Sequence, residues 1–213
     1  MSLSIALTKG RLEKKTTAML ENCGYGVENL KNQGRALIFQ DMKKDISYFL
    51  AKPNDVLTYV EHGVADIGIV GKDTILEGSK NYYELLDLQI GICKFILAGM
   101  PHNNPLEKIG HIKIGTKYPN VTASYFHEKG LEVEIIKIDG SVELGPVLGL
   151  CDGIVDIMET GTTLKENGLV VFDTVCPISA RLIANKVSFK LKRDEIDQIV
   201  NDLKKEITSC YKE

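Results

Sequence analysis

From Asp156 to Leu164 the chain reads Asp-Ile-Met-Glu-Thr-Gly-Thr-Thr-Leu. An apolar run ends at an acidic side chain, Thr160 and Gly161 follow, and two further hydroxyls open a helical pattern. Gly161 lets the backbone approach a ligand. Exposed amides and the hydroxyls of Thr160, Thr162 and Thr163 offer donors there, and a helix start favours negative charge. Together these make a phosphate cradle. The G-x-x-x-x-G-K-[ST] spacing of a P-loop is absent, and so is a G-x-G-x-x-G after a strand, which disfavours NTPase and dinucleotide sites. The plain alternative is that Thr160 only caps a helix.

A second chemical feature lies near the N-terminus. Lys9 and Arg11 directly follow the apolar run Leu3–Leu7, where ligands of parallel sheets bind. Cations at a helix start oppose the helix dipole, a local misfit that points to function rather than folding. The alternative is a solvated helix start.

The elements that must position these groups alternate. Strand patterns fall at Leu3–Leu7, Arg35–Phe39, Ile46–Ala51, Ile67–Val70, Ile112–Gly115, Val133–Ile138, Gly153–Ile157 and Leu169–Phe172. Helical patterns fall at Arg11–Cys23, after a cap at Asn54, and at Pro119–Lys129, Val142–Leu150 and Thr162–Asn167. The tail is helical, with Ile196, Ile199, Val200, Leu203 and Ile207 on one face. Alternation of this kind predicts βαβ units and mostly parallel sheets.

One internal echo stands out. Gly63-Val64-Ala65-Asp66 leads into Ile67–Val70 and a polar turn with Asp73. Gly149-Leu150-Cys151-Asp152 leads into Gly153–Ile157 and the turn with Thr160 and Gly161. Either this is how helix-to-strand loops commonly look, or two similar lobes face a cleft. The second reading gives a two-lobed α/β fold like that of type II periplasmic binding proteins, with two interlobe crossings. Residues 1–93 plus 177–213 then form lobe 1, and 94–176 form lobe 2 with the phosphate turn. One crossing runs in a single strand through Tyr83–Met100 and the other lies near Thr174–Ala180.

Composition narrows the class. The 213 residues carry 26 Lys+Arg against 29 Asp+Glu, a net charge of −3, which argues against broad nucleic-acid or anionic-membrane binding. Five scattered cysteines with no C-x-x-C, and four histidines without ligand spacing (His62, His102, His111, His127), point away from zinc and disulfides. No resident metal site is expected. With no signal-peptide pattern in MSLSIALTKGRL, a cytoplasmic location follows.

From Glu143 the chain reads E-LGPVL-G-LCDG-I-V-D-I-ME-T-G-T-T-L. This resembles the signature of the ATP phosphoribosyltransferases, the first enzymes of histidine biosynthesis. Glu143, Gly149, Ile154, Asp156, Ile157, Thr160, Gly161, Thr163 and Leu164 match; Cys151 stands where Ala, Gly or Ser is usual. Leu7–Leu12, Ala65–Asp73, Gly115–Asn120 and Ala180–Asn185 match further family segments. The chain is similar to the short form, which works with a regulatory subunit resembling histidyl-tRNA synthetase. The resemblance implies a homodimer within a hetero-octamer.

It also implies a pentosyl transfer from phosphoribosyl pyrophosphate to adenine N1 of ATP, with Mg2+ bound to substrate. Thr160, Gly161, Thr162 and Thr163 then hold the 5-phosphate, and Asp156 and Glu159 engage ribose hydroxyls. Lys9 and Arg11 are candidates for the nucleotide phosphates or pyrophosphate. Arg35 and Lys52 are candidates for pyrophosphate; Lys52 stands near where the family often has Arg, and Lys lacks the bidentate fork. Lys9, Arg11 and Lys52 are the catalytic candidates. Asp73, in the first lobe's polar turn, is a substrate-binding candidate that faces the cleft in the two-lobed reading. Glu143 reaches the adenine or ribose, or else is a first-turn Glu of a helix capped by Ser141.

Two other classes share parts of this pattern. A solute-binding protein should carry an export signal, and a regulator's effector domain should follow a helix-turn-helix. A salvage-type phosphoribosyltransferase should show two adjacent acidic residues before its phosphate turn, whereas Asp156 and Glu159 are separated.

Overall fold

The computed structural model describes residues 2–31, 36–41, 44–78 and 81–210. The chain divides into two compact units, Met1–Gly91 with Ser179–Glu213, and Ile92–Ile178. The second unit extends two residues beyond the expected 94–176 at each end.

Unit 1 opens with β1 (Leu3–Thr8) and α1 (Arg11–Asn22), then α2 (Glu28–Lys31), β2 (Ile38–Asp41) and β3 (Ile46–Ala51). There follow α3 (Pro53–Glu61), β4 (Ile67–Gly71), α4 (Lys72–Glu77) and β5 (Tyr83–Asp87). Unit 2 contains β6 (Cys93–Gly99), β7 (Lys113–Thr116), α5 (Pro119–Glu128), β8 (Glu134–Lys137), α6 (Leu144–Val147), β9 (Gly153–Met158), α7 (Thr162–Glu166) and β10 (Val170–Ile178). The chain returns to unit 1 with β11 (Ala180–Ala184), α8 (Lys186–Leu191) and α9 (Arg193–Cys210).

The unit 1 sheet has the order β2-β3-β1-β4-β11-β5. Its centre is parallel, with Thr8 beside Ala51 and Leu7 beside Ile69. Central parallel strands are covered on both faces, which is why β1 is almost uniformly apolar. One face packs Ile5, Leu7, Ile67 and Ile69 against Leu20 of α1 and Ile196, Ile199 and Leu203 of α9. The other packs Ala6 and Val70 against Val56, Leu57 and Val60 of α3.

The unit 2 sheet has the order β10-β6-β9-β7-β8. There β7, β8 and β9 are mutually parallel, and β6 runs antiparallel to β9. Ile96, Ala98 and Ile154 pack with Val142, Leu164 and Leu169.

Several expected elements take another form. The run Tyr83–Met100 is two strands, because Gln89 (φ 55°) and Gly91 (φ 63°) turn the chain between them. Pro53, not Asn54, opens α3, with Lys52 as the flanking residue; proline's fixed φ suits the first helical position. The expected helix Val142–Leu150 shrinks to α6, which Gly145 and Pro146 weaken and Gly149 (φ 71°) closes. Glu143 therefore flanks α6 rather than lying in its first turn. The expected strand Arg35–Phe39 appears as Ile38–Asp41, and Leu169–Phe172 as the nine-residue β10 with two register shifts. The sequence pattern did not bring out α8; Asn185 caps it, its Oδ1 accepting from Val187 N at 2.9 Å and Ser188 N at 3.0 Å. Among the described residues no helix is long and apolar enough to cross a membrane.

Candidate functional site

The expected site residues fall into two groups, one in each unit. In unit 2 they gather where β9 ends. Antiparallel pairing puts Ile96 opposite Asp156 and Lys94 opposite Met158. Parallel pairing puts Thr116 beside Val155, so Lys117 is next in register to Asp156. Ile154, Asp156 and Met158 alternate onto the face that α6 and α7 cover, where Met158 packs against the apolar cluster containing Leu164.

The turn after Met158 has the features of an anion cradle. Gly161 is left-handed (φ 81°, ψ 4°) at the start of α7. A Cβ there would lie 3.0 Å from the Met158 sulfur. Lys165 N donates to Gly161 O at 3.1 Å, closing the single turn. No side chain caps α7, so its first-turn amides have no intrahelical acceptor. Thr160 and Thr162 are exposed and their hydroxyls lie 3.1 Å apart; Thr163 is exposed beside them. Leu164 is buried and anchors the turn. Glu159 is exposed.

Asp156 is half-buried at the strand end. Burial pushes its carboxyl above the usual aspartate range, and the negative charge of Glu143 adds to this; the Ile157 N–H and the Lys117 ammonium oppose it. A carboxylate in this setting accepts hydroxyl protons well and gains from each one.

In unit 1, β3, β1 and β4 end side by side, and Lys52, Lys9 and Lys72 directly follow them. Lys9 N donates to Ala51 O at 2.9 Å. Gly10, at φ 106°, turns the chain into α1, whose first residue is the exposed Arg11. Gly10 N donates to Glu13 Oε2 at 3.0 Å. Asp73 lies in the first turn of α4 with its carboxylate folded back over Gly71; a Cβ on Gly71 would meet Asp73 Oδ1 at 2.0 Å. Lys72 pairs with Glu84 at 2.5 Å. Arg35 lies outside the described residues.

The structure thus brings Asp156, Glu143 and the 159–163 turn together in unit 2, and Lys9, Arg11, Lys52 and Asp73 to one sheet end in unit 1. Sequence reasoning passed over Lys117 and Lys94, although the strand-end position that singled out Lys9 applies equally to Lys117. His62, His102, His111 and His127 are exposed, and His111 contacts Glu134 at 2.6 Å. Among the described residues, no cluster of three or more His, Cys, Asp or Glu could hold a metal.

Comparison with known proteins follows the same lines. The family model HisG, ATP phosphoribosyltransferase, matches residues 52–205. An ATP phosphoribosyltransferase of Clostridium acetobutylicum is 59% identical over 203 residues, covering 95% of this chain and 94% of the relative. That of Bacillus cereus is 55% identical over 208 residues, 98% of each chain. The ATP phosphoribosyl transferase (HisG:HisZ) complex from Thermotoga maritima contains a chain 37% identical, with TM-score 0.82 over 97% of this chain and 99% of that one. The periplasmic aliphatic sulphonate binding protein SsuA from Escherichia coli shares the fold at 10% identity, with TM-score 0.61 over 97% of this chain and 72% of that one. A family match over most of the chain, and identity above half across nearly full-length relatives, lead to one conclusion: the chain belongs to the ATP phosphoribosyltransferase family.

Proposed function

We propose that the two strand-end groups divide the substrates of phosphoribosyl transfer to ATP, the first step of histidine biosynthesis. The amides and hydroxyls of Thr160–Thr163 hold the ribose 5-phosphate of phosphoribosyl pyrophosphate. Asp156 accepts hydrogen bonds from the ribose hydroxyls, with Glu159 at its margin. Glu143, close enough to Asp156 to perturb it, reaches the ribose or the adenine. Lys9, Arg11 and Lys52 take the pyrophosphate and nucleotide phosphates, and Asp73 orients that end of the sheet.

This division suits the chemistry. Adenine N1 is a neutral nitrogen with a free lone pair, so the attack needs no strong base. The barrier lies in breaking the bond from the anomeric carbon to pyrophosphate and in the positive charge left on the sugar. Positioning and electrostatic stabilisation supply the catalysis. A carboxylate at Asp156 favours the cationic ribose, and lysine and arginine favour the departing anion. Mg2+ bound to the diphosphate of phosphoribosyl pyrophosphate would share the charge that the leaving group develops.

The observation that carries this proposal is the left-handed Gly161 at the end of β9, followed by uncapped amides and exposed threonines. That the Thermotoga relative is found in a HisG:HisZ complex supports a HisZ-type regulatory subunit for this chain too; the assembly we propose for it is a homodimer inside a hetero-octamer. The test is a turnover assay with ATP, phosphoribosyl pyrophosphate and magnesium, with and without a HisZ-type subunit. Product is followed by the ultraviolet absorbance of N1-ribosylated ATP, and masses of the mixed complex by light scattering. Turnover by wild type that is lost in Thr160→Val/Thr163→Val and lowered in Arg11→Ala supports the division; equal turnover in all three removes it.

A further inference from the structure

Lys117 directly follows β7 in a held position. Thr116 Oγ1 donates to Val155 O at 2.7 Å and accepts from Tyr118 N at 2.9 Å. The Tyr118 ring packs edge-on against Phe95, centroids 4.8 Å apart, and Tyr118 O accepts from Thr122 N at 3.0 Å and Thr122 Oγ1 at 2.8 Å. Residues on both sides of Lys117 are therefore fixed, while Lys117 itself is exposed. The last pair of the β7–β9 ladder is Thr116 beside Val155, so Lys117 and Asp156 are the next residues along the two neighbouring chains.

Charges reach Asp156 from every side. Glu159 lies just past the end of β9, Lys94 lies on β6 opposite Met158, Glu143 flanks α6, and Lys117 directly follows β7. Of these, Glu143 and Lys117 act on it, with opposite signs. Among the described residues Lys117 forms no ion pair of its own, so its charge is not spent elsewhere.

We propose that Lys117 is a positioning residue of the phosphoribosyl site, its ammonium balancing the paired negative charge of Asp156 and Glu143 so that Asp156 stays ionised for the ribose hydroxyls. This rests on the assignment of Asp156 to the ribose. The substrate's own phosphates titrate alike in every variant, so differences between variants report the protein.

The experiment compares wild type, Lys117→Met and Lys117→Arg as full-length chains. Asp156 is titrated by carboxyl 13C NMR, and KM for phosphoribosyl pyrophosphate is measured across pH. The expected result is an Asp156 titration moved to higher pH in Lys117→Met, with KM rising more steeply as pH falls and kcat little changed. Lys117→Arg behaves as wild type. An unmoved titration in Lys117→Met overturns the proposal. Asp156→Asn separates the two claims. If it binds phosphoribosyl pyrophosphate as wild type does, the ribose assignment itself is wrong; if it loses binding while Lys117→Met changes nothing, only the role of Lys117 fails.

Discussion

Asp66 and Asp152 occupy equivalent positions, one in each unit. Each follows a left-handed glycine by three residues, Gly63 and Gly149, both at φ 71°. Asp66 Oδ2 accepts from Ser4 N at 2.8 Å, and its own N–H donates to Ser4 O at 3.0 Å. Asp152 Oδ2 accepts from Lys113 N at 2.8 Å, and its N–H donates to Lys113 O at 2.8 Å. One lysine neutralises each carboxylate, Lys192 at 2.7 Å and Lys108 at 2.6 Å. Each aspartate thus closes the start of the strand neighbouring its own, and so sets the register that places the functional strand ends.

Replacing the buried Asp66 by Asn should destabilise the protein by about 3 kcal/mol, since the half-buried Lys192 loses its counter-charge. Burial raises the Asp66 carboxyl, but hydrogen bonds from Lys192 and Ser4 outweigh it and hold the group below the usual range. A lowered carboxyl stabilises above its unfolded value and loses that contribution as pH falls through the folded one. Urea unfolding should therefore show a large gap between variant and wild type at neutral pH, shrinking below about pH 4. A gap independent of pH would show that Asp66 matters through packing alone.

Gly161→Val tests the turn. A branched side chain in the left-handed region costs about 1–2 kcal/mol, and the Met158 sulfur must give way as well. Circular dichroism should report an intact fold, while calorimetry shows binding of phosphoribosyl pyrophosphate lost. Wild-type affinity would remove the cradle.

Asp156→Asn should separate stability from activity. The raised carboxyl means that the ionised form is disfavoured in the folded protein. That cost is absent at low pH, where the group is protonated, and is present at neutral pH. The variant should melt higher than wild type at pH 7 and alike at pH 3, with kcat/KM sharply reduced at pH 7.

The residues of these experiments were unequally legible in the sequence. The 156–164 segment was readable because glycine, hydroxyls and a strand end carry their chemistry locally. The Asp66/Asp152 device was visible only as an echo, since its partners Ser4 and Lys192, or Lys108 and Lys113, are distant or unmarked in sequence. Lys117 had no local signal beyond following a strand; only the β7–β9 register puts it beside Asp156. The break after β5 was missed because the apolar pattern continues through Leu88 and Ile90, while the turn depends on backbone angles at Gln89 and Gly91. Nor could apolar spacing foresee that Gly145-Pro146 would reduce the expected helix to the single turn of α6.

Arg11→Ala should lower kcat/KM for ATP or phosphoribosyl pyrophosphate by about tenfold or more, the worth of one hydrogen bond to a charged group. Steady-state kinetics with each substrate varied in turn will show which. Unchanged constants for both would return Arg11 to the role of a solvated helix start.

The grip of the 159–163 turn on a sugar phosphate is tested most directly by amide NMR of the 15N-labelled chain titrated with ribose 5-phosphate. The amides of Thr160, Gly161, Thr162 and Thr163 should shift together and saturate with one affinity, and those shifts should vanish in Gly161→Val. Saturable shifts centred on other residues, with these four unmoved, would contradict the assignment.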